Sequence, residues 1–472
     1  MVDKFNEECA VMAIWGHHEA ANMAYLGLYS LQHRGQESSG IVSTDGKRHF
    51  AEVGMGLVSD VFNEQNIQTL EGFAAIGHNR YSTQGESEIK NAQPISIMYH
   101  SGPLALAHNG NLVNAQSVRD RLEKEGSIFR STMDSEVVIH LIAKSRRPRL
   151  YDQVVEALSQ LRGAYSIAIL AANELIVARD PHGFRPMCIG RLGKSYVFAS
   201  ETCAFDLIDA TFVRELEPGE VVVVNDEGMF SHFPFPKEPR NHCIFEFIYF
   251  ARPDSLVFGA NVHLVRKQFG RSLAMEKPVD ADMVVPVPDS GIVAALGYAE
   301  RSGIPFEKAI IRNHYVGRTF IEPTQSIRHF GVKVKLNPVR EIIRGKRVIL
   351  VDDSIVRGTT SRKLVKMVRD AGALEVHMRI SSPPTTYSCF YGIDTPARSD
   401  LIAANYSVED IARFLGVDSL AYLSMEGMLT AVPGREGDFC KACFSGDYPV
   451  TTPAIEAQLA IFDKEPEPKP AG

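Results

Sequence analysis

Residues 348–360 read VILVDDSIVRGTT, and this stretch decides the fold of the second half of the chain. Four consecutive apolar residues, Val348 to Val351, form a strand of the buried type, and the strand ends in two acids, Asp352 and Asp353. A short loop follows with Ser354, Arg357 and Gly358, and a helix is predicted from about Ser361. Backbone N–H groups and the hydroxyls of Ser354, Thr359 and Thr360 then gather at a helix N-terminus, which suits a phosphate. Carboxylates at the strand end suit ribose hydroxyls. The G-x-x-x-x-G-K pattern of a Walker loop is absent.

Outward from this stretch, further apolar runs alternate with helical segments: MVVPV at Met283, AIIR at Ala309, EVHMRI at Glu375 and DLIAA at Asp400. Continuous apolar strands between helices predict a parallel sheet covered on both faces. A second loop, VVPVPDSG, ends at Gly291 and opens a helix, again behind a strand, where open α/β sheets bind ligands. The stretch 312–340, with Arg318, Arg328, Lys333 and Lys335, reads equally as a solvated loop or as a basic lid.

Before residue 233 the pattern differs. Short β-type runs (YSIAILA at Tyr165, LIVA at Leu175, YVFAS at Tyr196, VVVV at Val221) interleave with helices over 22–33 and 134–143. Met23, Leu26, Tyr29 and Leu31 predict the buried face of the first helix. Asp134 is placed as N-cap of the second, with Val137, Val138, Leu141 and Ile142 on one side. Stacked α and β layers follow. The proline-rich stretch FPFPKEPRN (233–241) reads as the linker between two domains.

A chain of 472 residues supports two such cores. A hydrophobic share of 45%, a charged share of 23% and a net charge of −7 are ordinary for a soluble protein and give no pull toward nucleic acid or an acidic membrane. No apolar run approaches the ~20 residues of a membrane span. The start, MVDKFNEE, lacks the apolar stretch of a secretory signal. Seven cysteines without a framework of short spacings fit a reducing cytoplasm.

The first half carries five separated elements: Cys9, HRGQES from His33, HNRYST from His78, HNGN from His108, and Met133-Asp134-Ser135-Glu136. Near the C-terminus Cys440 and Cys443 form a CxxC pair, with Cys243 and Cys389 upstream. Four cysteines suit zinc or a [4Fe–4S] cluster, and spacing does not choose between them; a redox pair and plain buried thiols are further readings. Cys188 and Cys203 read as packing residues.

In this order the five elements resemble the N-terminal-nucleophile (Ntn) glutaminase domain of class II amidotransferases. The loops at 290 and 352–360 resemble the type I phosphoribosyltransferase fold. The contexts RNHCIFEFIYFARPDS, TYSCFYGIDTP and DFCKACFSGDYP resemble the amidophosphoribosyltransferases of the Bacillus-like, iron–sulfur type. The resemblance implies an αββα Ntn-hydrolase domain over 9–235, a parallel-sheet phosphoribosyltransferase domain over 236–450, a propeptide over 1–8 and a partly disordered tail over 451–472. It implies Cys9 as nucleophile, with its own α-amine as base once the preceding residues are removed. An α-amine titrates near 7.7–8.0 against about 10.4 for lysine, so more of it is unprotonated near neutrality. Asn109 and the N–H of Gly110 form the oxyanion hole. Arg80 grips the α-carboxylate of glutamine, and Asp134 its α-amino group. Arg34 buttresses the nucleophile loop, and Tyr81 belongs to a loop that closes on the substrate.

In the second domain the same resemblance gives the ribose to Asp352 and Asp353, the 5′-phosphate to Ser354, Arg357, Gly358, Thr359 and Thr360, and the pyrophosphate to the Ser290 loop. Magnesium lies near Ser290, Asp352 and Asp353, and Cys243, Cys389, Cys440 and Cys443 hold a [4Fe–4S] cluster. The implied reaction converts phosphoribosyl pyrophosphate, glutamine and water to 5-phosphoribosylamine, glutamate and pyrophosphate, opening purine synthesis, with ammonia channelled from Cys9 to ribose C1. A cytoplasmic homotetramer or homodimer inhibited by purine nucleotides is expected, without nucleic-acid or membrane partners. The alternative is a glutamine amidotransferase with another sugar-phosphate acceptor, which would lack the Asp352-Asp353 loop. One departure stands out: Ala10 follows the nucleophile where the family usually has glycine.

Overall fold

The computed structural model describes residues 9–81, 88–313, 336–453 and 455–456. The expected propeptide 1–8 lies outside these residues. So do Arg318, Arg328, Lys333 and Lys335 of the basic stretch, and most of the tail.

Two antiparallel sheets face each other in the first half. One has seven strands in the spatial order Thr211–Glu215, Cys188–Leu192, Ser195–Ala199, Ala10–Trp15, Ala74–Arg80, Ser38–Thr44 and His49–Met55. The other has six, in the order Gly228–His232, Val221–Asn225, Leu175–Arg179, Gly163–Ala171, Gly102–Leu112 and Ile95–Tyr99. Val11, Ala13 and Trp15 enter the layer between the sheets, where they meet Ala105, Ala107, Ala168 and Val177. Ala10, Met12 and Ile14 point the other way, under the helix Ala20–Ser30. Helices Ala115–Lys124, Glu136–Lys144 and Leu150–Leu158 cover the outer face of the second sheet. The result is an αββα stack. With both faces of each sheet buried, its central strands read as unbroken apolar runs even though they are antiparallel.

Two local expectations are corrected. The helix Ala20–Ser30 buries Ala20, Ala21, Ala24, Gly27 and Leu28, and leaves Tyr29 53% exposed. Small residues let the helix lie close on the sheet; of the expected residues Leu31 is buried, Met23 and Leu26 are half-buried against the same core, and only Tyr29 faces outward. Asp134 does not cap the helix Glu136–Lys144: its Oδ2 accepts instead from the Leu112 N–H at 2.9 Å.

In the second half a four-stranded parallel sheet runs in the order Met283–Pro286, Arg347–Asp352, Glu375–Ile380, Ser419–Tyr422. Val348 and Leu350 pack on one face, Ile349 and Val351 on the other. Two expectations differ from this sheet, and one strand was not expected. Ile310–Arg312 pairs antiparallel with Leu336–Pro338, outside it. The run at Asp400 is a 3-10 turn followed by the short helix Ile402–Asn405. The fourth strand, Ser419–Tyr422, is too short and mixed in sequence to be found by its apolar pattern. Beside Met283–Pro286, on the side away from Arg347–Asp352, Phe306 forms a parallel bridge with Val284. The chain thus leaves the first strand to one side and returns on the other. The strand order reverses between Met283–Pro286 and Arg347–Asp352, where open α/β sheets hold ligands.

Among the described residues no helix is long and apolar enough to cross a membrane. Residues 233–241 between the two halves adopt neither helix nor strand and are mostly exposed.

Candidate active site

Cys9 sits at the start of the central strand Ala10–Trp15 and is 7% exposed. Its neighbours come from the separated motifs of the first half. The Cys9 Sγ donates to the Tyr81 carbonyl at 3.6 Å, and Arg34 Nε donates to the Cys9 carbonyl at 3.2 Å. The charges of Arg80, Asp134 and Arg34 all act on the thiol. Gly35 of HRGQES packs so tightly on HNRYST that a Cβ there would sit 2.6 Å from the Asn79 carbonyl carbon. Glu37 of the same motif faces Arg80, with Oε2 3.8 Å from Nη1.

Burial pushes the Cys9 thiol up to about 11, against the hydrogen bond to Tyr81 and the charge of Arg80. A thiol so placed stays protonated at neutral pH, and a nucleophilic role would need a base to take its proton. The nearby histidines are engaged elsewhere. His78 Nε2 lies 2.9 Å from the His108 carbonyl; His108 lies 2.8 Å from Ser135 Oγ and 3.3 Å from the Ala164 carbonyl. Both are packing residues, as their motifs taken singly suggest.

Asn109 is 1% exposed, and its Nδ2 has no hydrogen-bond partner among the described residues. A buried amide donor without an acceptor is costly, typically about 1–3 kcal/mol, and sites that stabilise developing negative charge hold donors in this state. Gly110 beside it has φ +143°, and a Cβ would lie 2.1 Å from the Ala164 carbonyl oxygen, so only glycine fits. Ala10, the departure from the family pattern, is fully buried and its methyl joins the core under the helix Ala20–Ser30.

Arg34, expected as a local buttress, reaches well beyond the Cys9 carbonyl. Its guanidinium meets Glu201 (Nη1–Oε1 2.6 Å) and Glu246 (Nη2–Oε1 2.7 Å), with all three side chains fully buried. Burial alone would lower the pKa of Arg34; the two carboxylates outweigh it and raise it. Glu246 belongs to the second half, so the nucleophile loop is tied across the linker. The sequence reading missed Glu201 and Glu246. The available signal for Glu246 was one acid inside the aromatic run FEFIYF.

At the strand reversal in the second half, Asp352, Asp353 and Ser354 are 2%, 1% and 4% exposed. Ser290 Oγ donates to Asp352 Oδ1 at 3.4 Å, which brings the two predicted loops together. Ser354 Oγ donates to Asp353 Oδ2 at 2.6 Å. The following helix begins at Thr359 with Gly358 at its N-cap, so Thr359 and Thr360 lie in its first turn. Arg357 is half-exposed and lies 3.4 Å from Asp400.

Cys243, Cys389, Cys440 and Cys443 line a single apolar cavity with Phe184, Phe245 and Tyr391. His242–Cys243 and Phe439–Cys440 pair as two short parallel strands, with Cys243 opposite Cys440. Burial pushes the Cys243 thiol up to about 11, and it raises Cys440 and Cys443 further, reinforced by their mutual repulsion. Among the described residues no three His, Cys, Asp or Glu side chains converge closely enough for a single metal ion; the four thiols meet around a cavity rather than at a point.

Comparison with known proteins bears on both halves. The glutamine amidotransferase domain family matches residues 78–206, which include Arg80, Asn109, Gly110 and Asp134. The amidophosphoribosyltransferase of Bacillus subtilis is 52% identical over 449 residues, 94% of each chain. Chloroplastic amidophosphoribosyltransferase 1 of Arabidopsis thaliana is 52% identical, over 97% of this chain and 81% of its own. The solved B. subtilis glutamine phosphoribosylpyrophosphate amidotransferase, complexed with ADP and GMP, superposes with a TM-score of 0.89 at 52% identity and covers 93% of this chain and 97% of its own. At such identity over nearly the whole length, with both predicted folds and both loop systems in place, the chain belongs to the amidophosphoribosyltransferase family.

Proposed function

We propose that this enzyme transfers the amide nitrogen of glutamine to phosphoribosyl pyrophosphate, giving 5-phosphoribosylamine, glutamate and pyrophosphate, the first step of purine biosynthesis. One observation carries the reading: a single chain holds in its first half a buried thiol and a buried Asn109 amide with no acceptor among the described residues, and in its second half a paired-acid loop at a strand reversal.

The Cys9 sulfur attacks the amide carbon of glutamine. Its proton passes to the α-amine of Cys9, exposed by removal of residues 1–8. Asn109 Nδ2 and the Gly110 N–H receive the oxyanion. Arg80 and Asp134 hold the two charged ends of the amino acid. The C–N bond breaks, ammonia leaves with the returned proton, and water hydrolyses the thioester to glutamate. Ammonia then forms a bond to ribose C1 as the C1–O bond to pyrophosphate breaks, and the nitrogen loses a proton. A closed route between the sites keeps ammonia from being protonated in bulk water.

Asp352 and Asp353 hold the ribose hydroxyls, and Ser354, Arg357, Gly358, Thr359 and Thr360 cradle the 5′-phosphate. Two buried acids with Ser290 beside them suit magnesium, which keeps several waters and takes few protein ligands next to phosphates. Bound there, it would offset the charge of the departing pyrophosphate.

The four cysteines fit a [4Fe–4S] cluster, because such a cluster spreads its ligands around a cavity. Structural zinc would need its sulfurs about 2.3 Å from one centre. The transfer reaction moves no electrons, so the cluster's role is structural or oxygen-sensing. Iron and sulfide in equal amounts in anaerobically purified protein would support this assignment; stoichiometric zinc would overturn it. A cytoplasmic homo-oligomer, tetramer or dimer, with feedback by purine nucleotides completes the reading.

Pyrophosphate release measured with glutamine and with ammonia tests the reaction. Activity with both nitrogen donors is the expected result. Release with another sugar phosphate, and none with phosphoribosyl pyrophosphate, would favour the alternative acceptor.

A further inference from the structure

The strand that carries the oxyanion donors is only partly supported by its own sheet. Gly102–Leu112 pairs along its length with Gly163–Ala171 on one side. On the other side its partner Ile95–Tyr99 reaches only as far as Leu106. His108 to Leu112, the segment with Asn109 and Gly110, therefore runs past the end of that neighbour.

The second half fills in around this end. Asn111 Nδ2 donates to the Phe390 carbonyl at 2.8 Å, a contact that spans the two halves. Gly392 has φ +113° and lies directly on Gly110: a Cβ there would be 3.1 Å from the Gly110 carbonyl carbon and 3.2 Å from its Cα. The same Cβ would be 3.1 Å from Arg185 Nη2. Arg185, fully buried, donates from Nη2 to the Tyr391 carbonyl at 2.7 Å, while its own carbonyl accepts from Ser166 Oγ at 3.2 Å. The ring of Tyr391 stacks on Phe184 with centroids 4.4 Å apart. Loop 389–392 thus meets the strand through a hydrogen bond to Asn111 and the Gly392–Gly110 contact, and the rest of the first half through Arg185 and the stack on Phe184.

We propose that loop 389–392 of the second half is a positioning element for the oxyanion hole, with Gly392 and Asn111 as its positioning residues. The loop fixes the backbone at Gly110, and so the direction of the two donors, without touching the substrate. The inference rests on the reading of Cys9, Asn109 and Gly110 as a glutaminase site. It makes that site incomplete until the second half has docked. Cys389 opens the same loop and lines one cavity with the other three thiols.

The test uses the full-length protein and measures kcat and KM for glutamine hydrolysis, together with ammonia-dependent pyrophosphate release. Gly392→Ala is expected to lower kcat for glutamine by about 10- to 100-fold, the range for a small misplacement of catalytic groups. The KM for glutamine and the ammonia-dependent rate should stay within about two-fold of wild type, because the oxyanion forms only in the transition state. Gly303→Ala is the control: Gly303 also has positive φ (+74°), but nothing lies within 4 Å of its Cβ position. It should lower thermal stability and leave both activities in place. If Gly392→Ala does not fold, Asn111→Ala decides, with a several-fold loss confined to kcat for glutamine. Unchanged kcat for glutamine, a rise in KM alone, or an equal loss of both activities would overturn the proposal. A wild-type protein that hydrolyses no glutamine would instead overturn the underlying reading of the site.

Discussion

The Cys9 site and the 348–360 loop are built in opposite ways. The loop is contiguous: one strand, two acids, a turn and a helix start provide Asp352, Asp353, Ser354, Thr359 and Thr360 within nine residues. The surroundings of Cys9 draw on residues 34, 80, 81 and 134 and, through Arg34, on Glu246 beyond the linker; the proposed oxyanion donors at 109 and 110 lie where loop 389–392 meets the first half. Adjacent residues on a strand and helix hold one another by local backbone geometry. Scattered residues are held only by the core packed around them. A site of the first kind is expected to tolerate changes elsewhere in the chain, and the second, on the proposal above, to depend on docking between the halves.

Substitutions sharpen this contrast. The largest effect is expected for Cys9→Ala: glutamine-dependent pyrophosphate release should fall about 10⁴-fold or more, while the ammonia-dependent reaction persists. Equal loss of both would break the two-site picture. Asp352→Ala is the converse. It should remove both synthetic reactions by about 10³-fold or more, since no charge-compensated site for the ribose and pyrophosphate remains, yet leave slow glutamine hydrolysis measurable as glutamate release. Next comes Asn109→Ala, with a loss of about 10²–10³ in kcat for glutamine and little change in KM.

Two further effects concern stability. Glu246→Ala leaves the fully buried Arg34 with one carboxylate, and breaking a buried pair typically costs about 3–5 kcal/mol. Denaturant unfolding should show that loss, and a change below about 1 kcal/mol would mean that the tie across the linker contributes little. The smallest effect is acid sensitivity. Burial holds His78 and His242 at about 3, below the ordinary 6.5. Between these values the unfolded chain binds protons that the folded one refuses. Their contribution is therefore complete above pH 6.5 and is lost as pH falls toward 3. Thermal midpoints should decline over that window, and His78→Gln should flatten the decline.

Much of this molecule was legible in its sequence. The two-sided burial of Arg347–Asp352 shows in its unbroken apolar run, and the paired-acid loop behind it is readable because its parts are consecutive. The Cys9 motifs were legible as a set, through their order and residue types. Other features were hidden. The buried face of Ala20–Ser30 is made largely of small residues, so large-residue periodicity finds only its margin and wrongly includes Tyr29. Asp134 has the look of a cap, but its carboxylate meets Leu112 of another strand. The apolar run at Asp400 folds as a turn and helix, because Ser419–Tyr422 takes the next place beside Glu375–Ile380.

The sequence by itself determined the two layered cores, the strand–loop–helix at Asp352 and the identity of the residues around Cys9, since these follow from local backbone preference, burial pattern and side-chain chemistry. Only the tertiary structure decided that Asn109 Nδ2 has no partner among the described residues, that Arg34 is held by Glu201 and Glu246, and that Gly392 rests on Gly110. Each of these depends on which atoms meet when segments far apart in the chain pack together. Spacing along the chain carries no record of those distances.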